Sequence, residues 1–301
     1  MPSVLEKIVE TWPNRAGVRN DAALRTAPWE PERPDYPIEM LPFRDHPTFA
    51  ALPEEKKRQV LTLAWLVYNE RVITAEEFVA NPALMMLSQH IMNGVDDLAV
   101  KLAIQQTLVD EHFHTLMHLR AIEDTKRLRG GIRAGLRFPH SITYRTLLAL
   151  KDRHPSKEEN DLLTLVWAIV AEISVNAYLS LLSTNETIQP MHRLVPYLHN
   201  RDEFAHSSIV EEVAKLLYPR LTAREQELFC HFLPDALRAF FAQDYSAWQA
   251  ILGEVGVPGY EAMLEDCARD RSSSMLSRDF SGIRDLVAEL NIGNRVDYQF
   301  Q

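Results

Sequence analysis

Two Asp-Glu-x-x-His motifs limit the fold of this chain more tightly than any other feature. Asp110, Glu111 and His114 lie in one long stretch of helical periodicity, and Asp202, Glu203 and His206 lie in another. Residues three apart project from one face of a helix, so each motif presents a carboxylate and an imidazole side by side. One such pair is commonplace on a helix surface. Two of them, on separate long helices, imply helices that face each other across a shared centre, as in bundles that hold metal ions in their core.

The remaining sequence supports a bundle. The 301 residues contain only 10 Gly, scarce within the long amphipathic stretches, which favours helix over a turn-rich β fold. Helical spacing starts near residue 53, with Asn81-Pro82 expected to kink or end it and residues 83–92 to carry its direction on. Further helices are expected over 96–127, 141–151, 156–183, 190–217 and 222–243. Ser156-x-x-Glu159 and Thr222-x-x-Glu225 read as capping boxes, Gly130-Gly131 as a stop, and 256–259 as a turn. The fold class is therefore all-α, a ferritin-like four-helix bundle with accessory helices. We divide one domain, 1–301, into an extended arm (1–50, rich in Pro and Arg), a ligand-bearing core (51–243) and accessory helices (244–301).

A two-metal bundle needs one Glu from each of its other two long helices. Glu172 is the only charged residue in the apolar run 162–182, and a lone buried carboxylate is costly without a partner. On the first long helix the choice lies among Glu70, Glu76 and Glu77. Glu76 sits on the apolar stripe formed by Val72, Ile73 and Val79, although Glu77 also follows Ile73 by four. His199, four residues before Glu203, extends that stripe to three ligands. Asp110 and Asp202 are placed to hold the outer nitrogen of a metal-bound imidazole. His112 points away from Glu111, while His118 and His192 read as packed or supporting histidines. Met85, Met86, Met117, Phe240 and Phe241 read as core.

Carboxylate and imidazole ligands without thiolate suit iron or manganese, with zinc as an alternative. Cys230 and Cys267 form neither a metal pair nor a disulfide framework. Two Fe(II) ions held by bridging carboxylates can jointly deliver electrons to O2, and apolar helices around them limit water. The net charge of -10, without a long basic run, argues against a nucleic-acid partner. The run 162–182 nearly reaches membrane-spanning length but contains Thr164, Glu172 and Asn176, and the first residues lack an apolar signal core. A buried helix in a cytoplasmic protein, with no membrane partner, is the expectation; a homodimer is compatible with a bundle of this size.

The ordered set Glu76, Glu111-x-x-His114, Glu172, His199-x-x-x-Glu203-x-x-His206 resembles that of the p-aminobenzoate N-oxygenases and related arylamine oxygenases of natural-product pathways. A third histidine is characteristic of that family, and the 35-residue step from Glu76 to Glu111 matches its spacing, favouring Glu76 over Glu77. The resemblance covers roughly residues 50–240. It implies two iron ions cycling between Fe2+ and Fe3+, with O2 as co-substrate. It also implies an external electron donor, either a donor protein or a chemical reductant. The implied reaction takes a primary amine, free or tethered to a carrier protein, through hydroxylamine and nitroso toward nitro. The resemblance places Tyr68 and Arg71 on the substrate carboxylate, whereas the family's further amide contact falls here on Leu182. A di-iron hydroxylase or desaturase acting on carbon, and a ferritin-like iron-binding protein, are the alternatives.

Overall fold

The computed structural model describes residues 2–89, 95–269 and 279–300, and among them every regular element is helical. The elements are α1 (Val4–Arg15), α2 (Pro47–Ala50), α3 (Glu54–Ala75), α4 (Asn81–Ser88), α5 (Leu98–Arg129), α6 (Ile142–Arg153), α7 (Lys157–Ser183), α8 (Pro190–Leu217), α9 (Ala223–Phe240), α10 (Ser246–Val255), α11 (Tyr260–Arg269) and α12 (Ser281–Glu289). The four long helices α3, α5, α7 and α8 form the bundle, with α9 and α12 against α7 and α10 against α3. Residues 90–92 of the expected continuation beyond Pro82, and 270–278 of the accessory segment, lie outside the described residues.

Local chemistry sets the helix ends. Thr222 and Glu225 form the full capping box that starts α9. At α7 only half of the expected box forms: Ser156 accepts from the Glu159 amide, while the Glu159 carboxylate turns to His154 at 3.0 Å. Gly130, at φ 63°, closes α5 in a conformation that disfavours a side chain. Between α3 and α4 the chain makes a π-helical turn, Glu76–Ala80, immediately before Pro82. Proline cannot donate to the carbonyl four residues back and its ring crowds it, so the wider turn lets the helix pass this point without breaking.

The arm departs from the extended form expected of residues 1–50. Val4–Arg15 is an α-helix, started by a capping box between Ser3 and Glu6. Most of the prolines that break regular structure come after residue 28; the only one inside α1 is Pro13, in the last turn. The carbonyl of Val9, which Pro13 cannot serve, accepts a hydrogen bond from Gln106 of α5 at 3.3 Å. Residues 28–46 do run without an α-helix over the bundle.

Two apolar clusters fill the bundle. One joins α4, the first half of α7, the second half of α8, α9 and α12 around Trp167 and Phe232. The other joins the arm, α3, the second half of α5, α10 and α11 around Trp65 and Phe43. Between them lies a layer of buried carboxylates and imidazoles. Among the described residues one helix, α7, is long and apolar enough to cross a membrane; 67% of its most apolar window is buried in the bundle.

Candidate metal centre

The core helices and the turn after α3 each deliver part of the polar layer: Glu76 from the π-helical turn, Glu111 and His114 from α5, Glu172 from α7, and His199, Glu203 and His206 from α8. All seven are buried, none more than 6% exposed. Their ligand atoms converge in overlapping groups, each within 4.8 Å: Glu76, His114, His199 and Glu203; Glu111, His114, Glu203 and His206; and Glu76, Glu111 and Glu172. Two such groups of four overlap at His114 and Glu203, and their residues would hold up to two metal ions. Glu203 Oε1 stands 3.1 Å from His199 Nε2 and 3.2 Å from His206 Nδ1, while Glu76 Oε1 stands 3.3 Å from His199 Nε2. Glu77 is a third exposed, accepts from Thr115 and faces His112, outside the layer.

Electrostatics show how strongly burial and mutual charge act on the groups of this layer. Burial, then Glu111, Glu203 and Glu172, push the Glu76 carboxyl well above its usual range. Burial with Glu203 and Glu111 does the same to Glu172. Burial also opposes charge on Glu111 and Glu203, yet His206 and neighbouring hydrogen bonds hold Glu111 well below the usual range. Against burial and the charge of Glu111, His206 and His199 bring Glu203 down to about 2. Burial disfavours imidazolium, but Asp202 and Glu111 raise His114 to about 10, and Glu203, Glu111 and Asp110 raise His206 well above its ordinary value. Burial and His114 lower His199.

The charges of the layer are thus pulled in opposite directions, Glu76 and Glu172 toward the neutral acid and His114 and His206 toward imidazolium. Divalent cations at the same place would favour the ionised carboxylates and the neutral rings. Glu172 Oε2 and Glu203 Oε2 are buried with no hydrogen-bond partner. An acceptor left so is costly unless a cation meets it. The residues therefore fit a pair of hard or borderline divalent metals.

The support of the imidazoles crosses between helices. Asp110, beside Glu111 on α5, meets His206 Nε2 of α8 at 3.2 Å. Asp202, beside Glu203 on α8, meets His114 Nε2 of α5 at 3.3 Å. The sequence marks both Asp residues but not this exchange. Nor does it reveal their covering: Trp12 donates to both oxygens of Asp110 at 3.0 Å, and the Gly17 amide donates to Asp202 at 2.9 and 3.1 Å. A Cβ at Gly17 would lie 2.7 Å from Asp202 Oδ2, so only glycine allows that approach. The Arg15 guanidinium sits between the two, 3.9 Å from Asp110 and 3.8 Å from Asp202. The Ser3-x-x-Glu6 capping pattern was the available signal for α1.

His199 is backed differently. Its Nδ1 meets His118 Nε2 at 2.9 Å, and His118 Nδ1 meets Asn69 Oδ1 at 2.7 Å. His118 therefore supports a ligand-type histidine. His192 instead bonds Thr125 and the Asp35 carbonyl and stacks on Trp65 with ring centroids 4.2 Å apart.

Tyr68 is buried beside this end, its ring 5.8 Å from His118 and its hydroxyl without a partner. Burial, Tyr178 and Glu76 push its hydroxyl well above the ordinary value. Arg71, one turn on, pairs with Asp244 at 2.8 Å, and its buried Nε has no hydrogen-bond acceptor. Two tyrosines that sequence reasoning missed join them: Tyr178 of α7, with its ring 5.8 Å from Tyr68, and Tyr36 of the arm, whose hydroxyl lies 3.5 Å from that of Tyr178. Leu182, at the place of the expected amide, is fully buried in the apolar cluster.

Among known proteins, the family model described as p-aminobenzoate N-oxygenase AurF matches residues 2–291. A curated relative, the 4-aminobenzoate N-oxygenase of Streptomyces thioluteus, is 41% identical over 300 residues, covering 99% of this chain and 89% of the relative.

Proposed function

The chain belongs to the p-aminobenzoate N-oxygenase family, and on that premise we propose that it is a non-haem di-iron N-oxygenase of primary arylamines. It uses O2 and an external electron donor, and its products are the hydroxylamine, nitroso and nitro compounds. The observation that carries this reading is the convergence of seven buried carboxylate and imidazole ligands around two overlapping positions. Glu76, His199 and Glu203 would hold one ion and Glu111, Glu203 and His206 the other, with His114 Nδ1 available to one of the two and Glu172 closing the layer on the α7 side. When bound, the iron pair supplies the electrons that activate O2 and the oxidising power that reaches the amine nitrogen.

The protein side chains do the rest. Asp110 and Asp202 fix the rings of His206 and His114 through their outer nitrogens, which also raises the basicity of those rings. Tyr68 and Arg71, at i and i+3 on α3, offer an unpartnered hydroxyl and an unpartnered guanidinium nitrogen to a substrate carboxylate. Glu76 follows Tyr68 by eight residues on the same face, so an arylamine anchored by its carboxylate near Tyr68 points its amine toward the metals. Tyr36 and Tyr178 supply aromatic walls, and the apolar clusters on both sides keep bulk water away.

The test loads the purified chain with iron, counts metal per chain, and supplies reductant, O2 and 4-aminobenzoate while products are followed by mass spectrometry. Oxidised nitrogen is expected. Oxygen added to ring carbon would support the hydroxylase alternative. Iron mineral accumulating without organic product would support iron storage.

A further inference from the structure

α1 connects the metal layer with the outside of the protein. The Trp12 indole is partly exposed, and its N–H donates to both oxygens of fully buried Asp110 at 3.0 Å. Asp110 in turn holds His206 Nε2 at 3.2 Å, and His206 Nδ1 faces Glu111 at 2.8 Å and Glu203 at 3.2 Å. Two hydrogen bonds therefore separate a solvent-reaching indole from a metal-facing imidazole. Tryptophan is the side chain that loses an electron most readily together with tyrosine, and here its proton already points at a carboxylate. The other aromatic run from the layer is longer. From His199 it passes through His118, Tyr68, Trp65 and His192 before reaching partly exposed Trp29, with ring centroids 4.2–6.0 Å apart. Nothing in the amine chemistry above uses Trp12.

We propose that Trp12, through Asp110 and His206, is the redox outlet of the metal layer, spending oxidising equivalents that meet no amine. The proposal rests on the oxygen-activating reading above. When O2 has oxidised the layer and the amine site is empty, one electron leaves the indole along Asp110 and His206 and reduces that oxidised layer by one equivalent. The indole N–H proton passes down its hydrogen bond to Asp110 and follows the electron to the O2-derived oxygen, which ends as water, leaving a neutral indolyl radical at the surface. A thiol reductant can return a hydrogen atom, restoring Trp12 and ending as disulfide. Otherwise the radical adds O2 and, with further hydrogen from the thiol, ends as hydroxytryptophan and water.

The experiment takes the full-length protein, iron-loaded and reduced, and exposes it to O2 in the presence of thiol, with or without 4-aminobenzoate. Peptide mass mapping then quantifies oxygen gain at each of the five tryptophans. The expected result is oxidation concentrated at Trp12, suppressed by the amine, with an indolyl radical signal in freeze-quenched samples. That signal, taken per iron bound, should be lost in Trp12→Phe; the mapping on the unaltered protein stands even if the variant does not fold. Oxidation spread over Trp29 and Trp248 irrespective of amine, or the same radical signal in Trp12→Phe, overturns the inference. Amine conversion without selective oxidation of Trp12 removes this inference alone. Protein that binds no iron or consumes no O2 removes the oxygenase reading together with it.

Discussion

The α1 side and the α3 side of the buried polar layer hold their histidines by opposite means. On the α1 side, His114 and His206 each lean on a buried aspartate, and Trp12, Gly17 and Arg15 surround those aspartates with donors and positive charge. On the α3 side, His199 leans on a neutral histidine that leans on an amide. The two aspartate-backed rings are driven toward imidazolium and His199 away from it. A carboxylate behind an imidazole makes it a stronger donor with a fixed ring; a neutral partner leaves a weaker donor. The rigid side is the one turned to α1. The more weakly held side is the one next to Tyr68, where substrate is proposed to arrive.

The largest effect should come from the ligand common to both sides. Glu203→Ala is expected to remove at least one of the two metals and bring N-oxygenation below detection, read by metal analysis and product mass spectrometry. Next, Asp110→Asn and Asp202→Asn should each weaken metal binding by roughly 10–100-fold. His118→Asn should cost no more than about 10-fold on the same scale. Equal losses on both sides would erase the contrast.

The pH dependence sharpens it further. His114, at about 10 in the fold against 6.5 for the free ring, contributes stability that is fully present below pH 6.5 and fades as pH rises toward 10. Glu203, at about 2 against 4.5, contributes stability above pH 4.5 that is lost as pH falls toward 2. Chelator-treated protein should therefore melt lower as pH rises from 6.5 toward 10. Metal affinity should climb across the same window, with protons released on binding, because the ions displace the proton that His114 holds there. Calorimetry in buffers of differing ionisation heat would measure that release. The smallest effect is expected at Glu77→Gln, which should leave metal content unchanged and stability within about 0.5 kcal/mol.

Much of this was legible in the chain. The bounds of α7 and α8 follow from their periodicity and end signals, and six of the seven candidate ligands, Glu111, His114, Glu172, His199, Glu203 and His206, follow from helical spacing plus the isolation of Glu172 in an apolar run. Glu76 and Glu77 were inseparable by periodicity alone, because neighbouring residues on one helix edge differ by only 100° and the π-turn that begins at Glu76 shifts the register. Ser3-x-x-Glu6 was readable, yet the proline-rich stretch behind it masked a regular helix. Tyr36 and Tyr178 are 142 residues apart. No local pattern announces a contact across that separation.

The sequence by itself determined the core helices, the order of the candidate ligands and their chemistry, since spacing on one helix is a local property of the backbone. Only the tertiary structure decided which aspartate supports which histidine, that an N-terminal helix covers both, and that the third histidine rests on a neutral chain. Those pairings depend on the rotation and height of separate helices, which are set by the two apolar clusters packing above and below the polar layer.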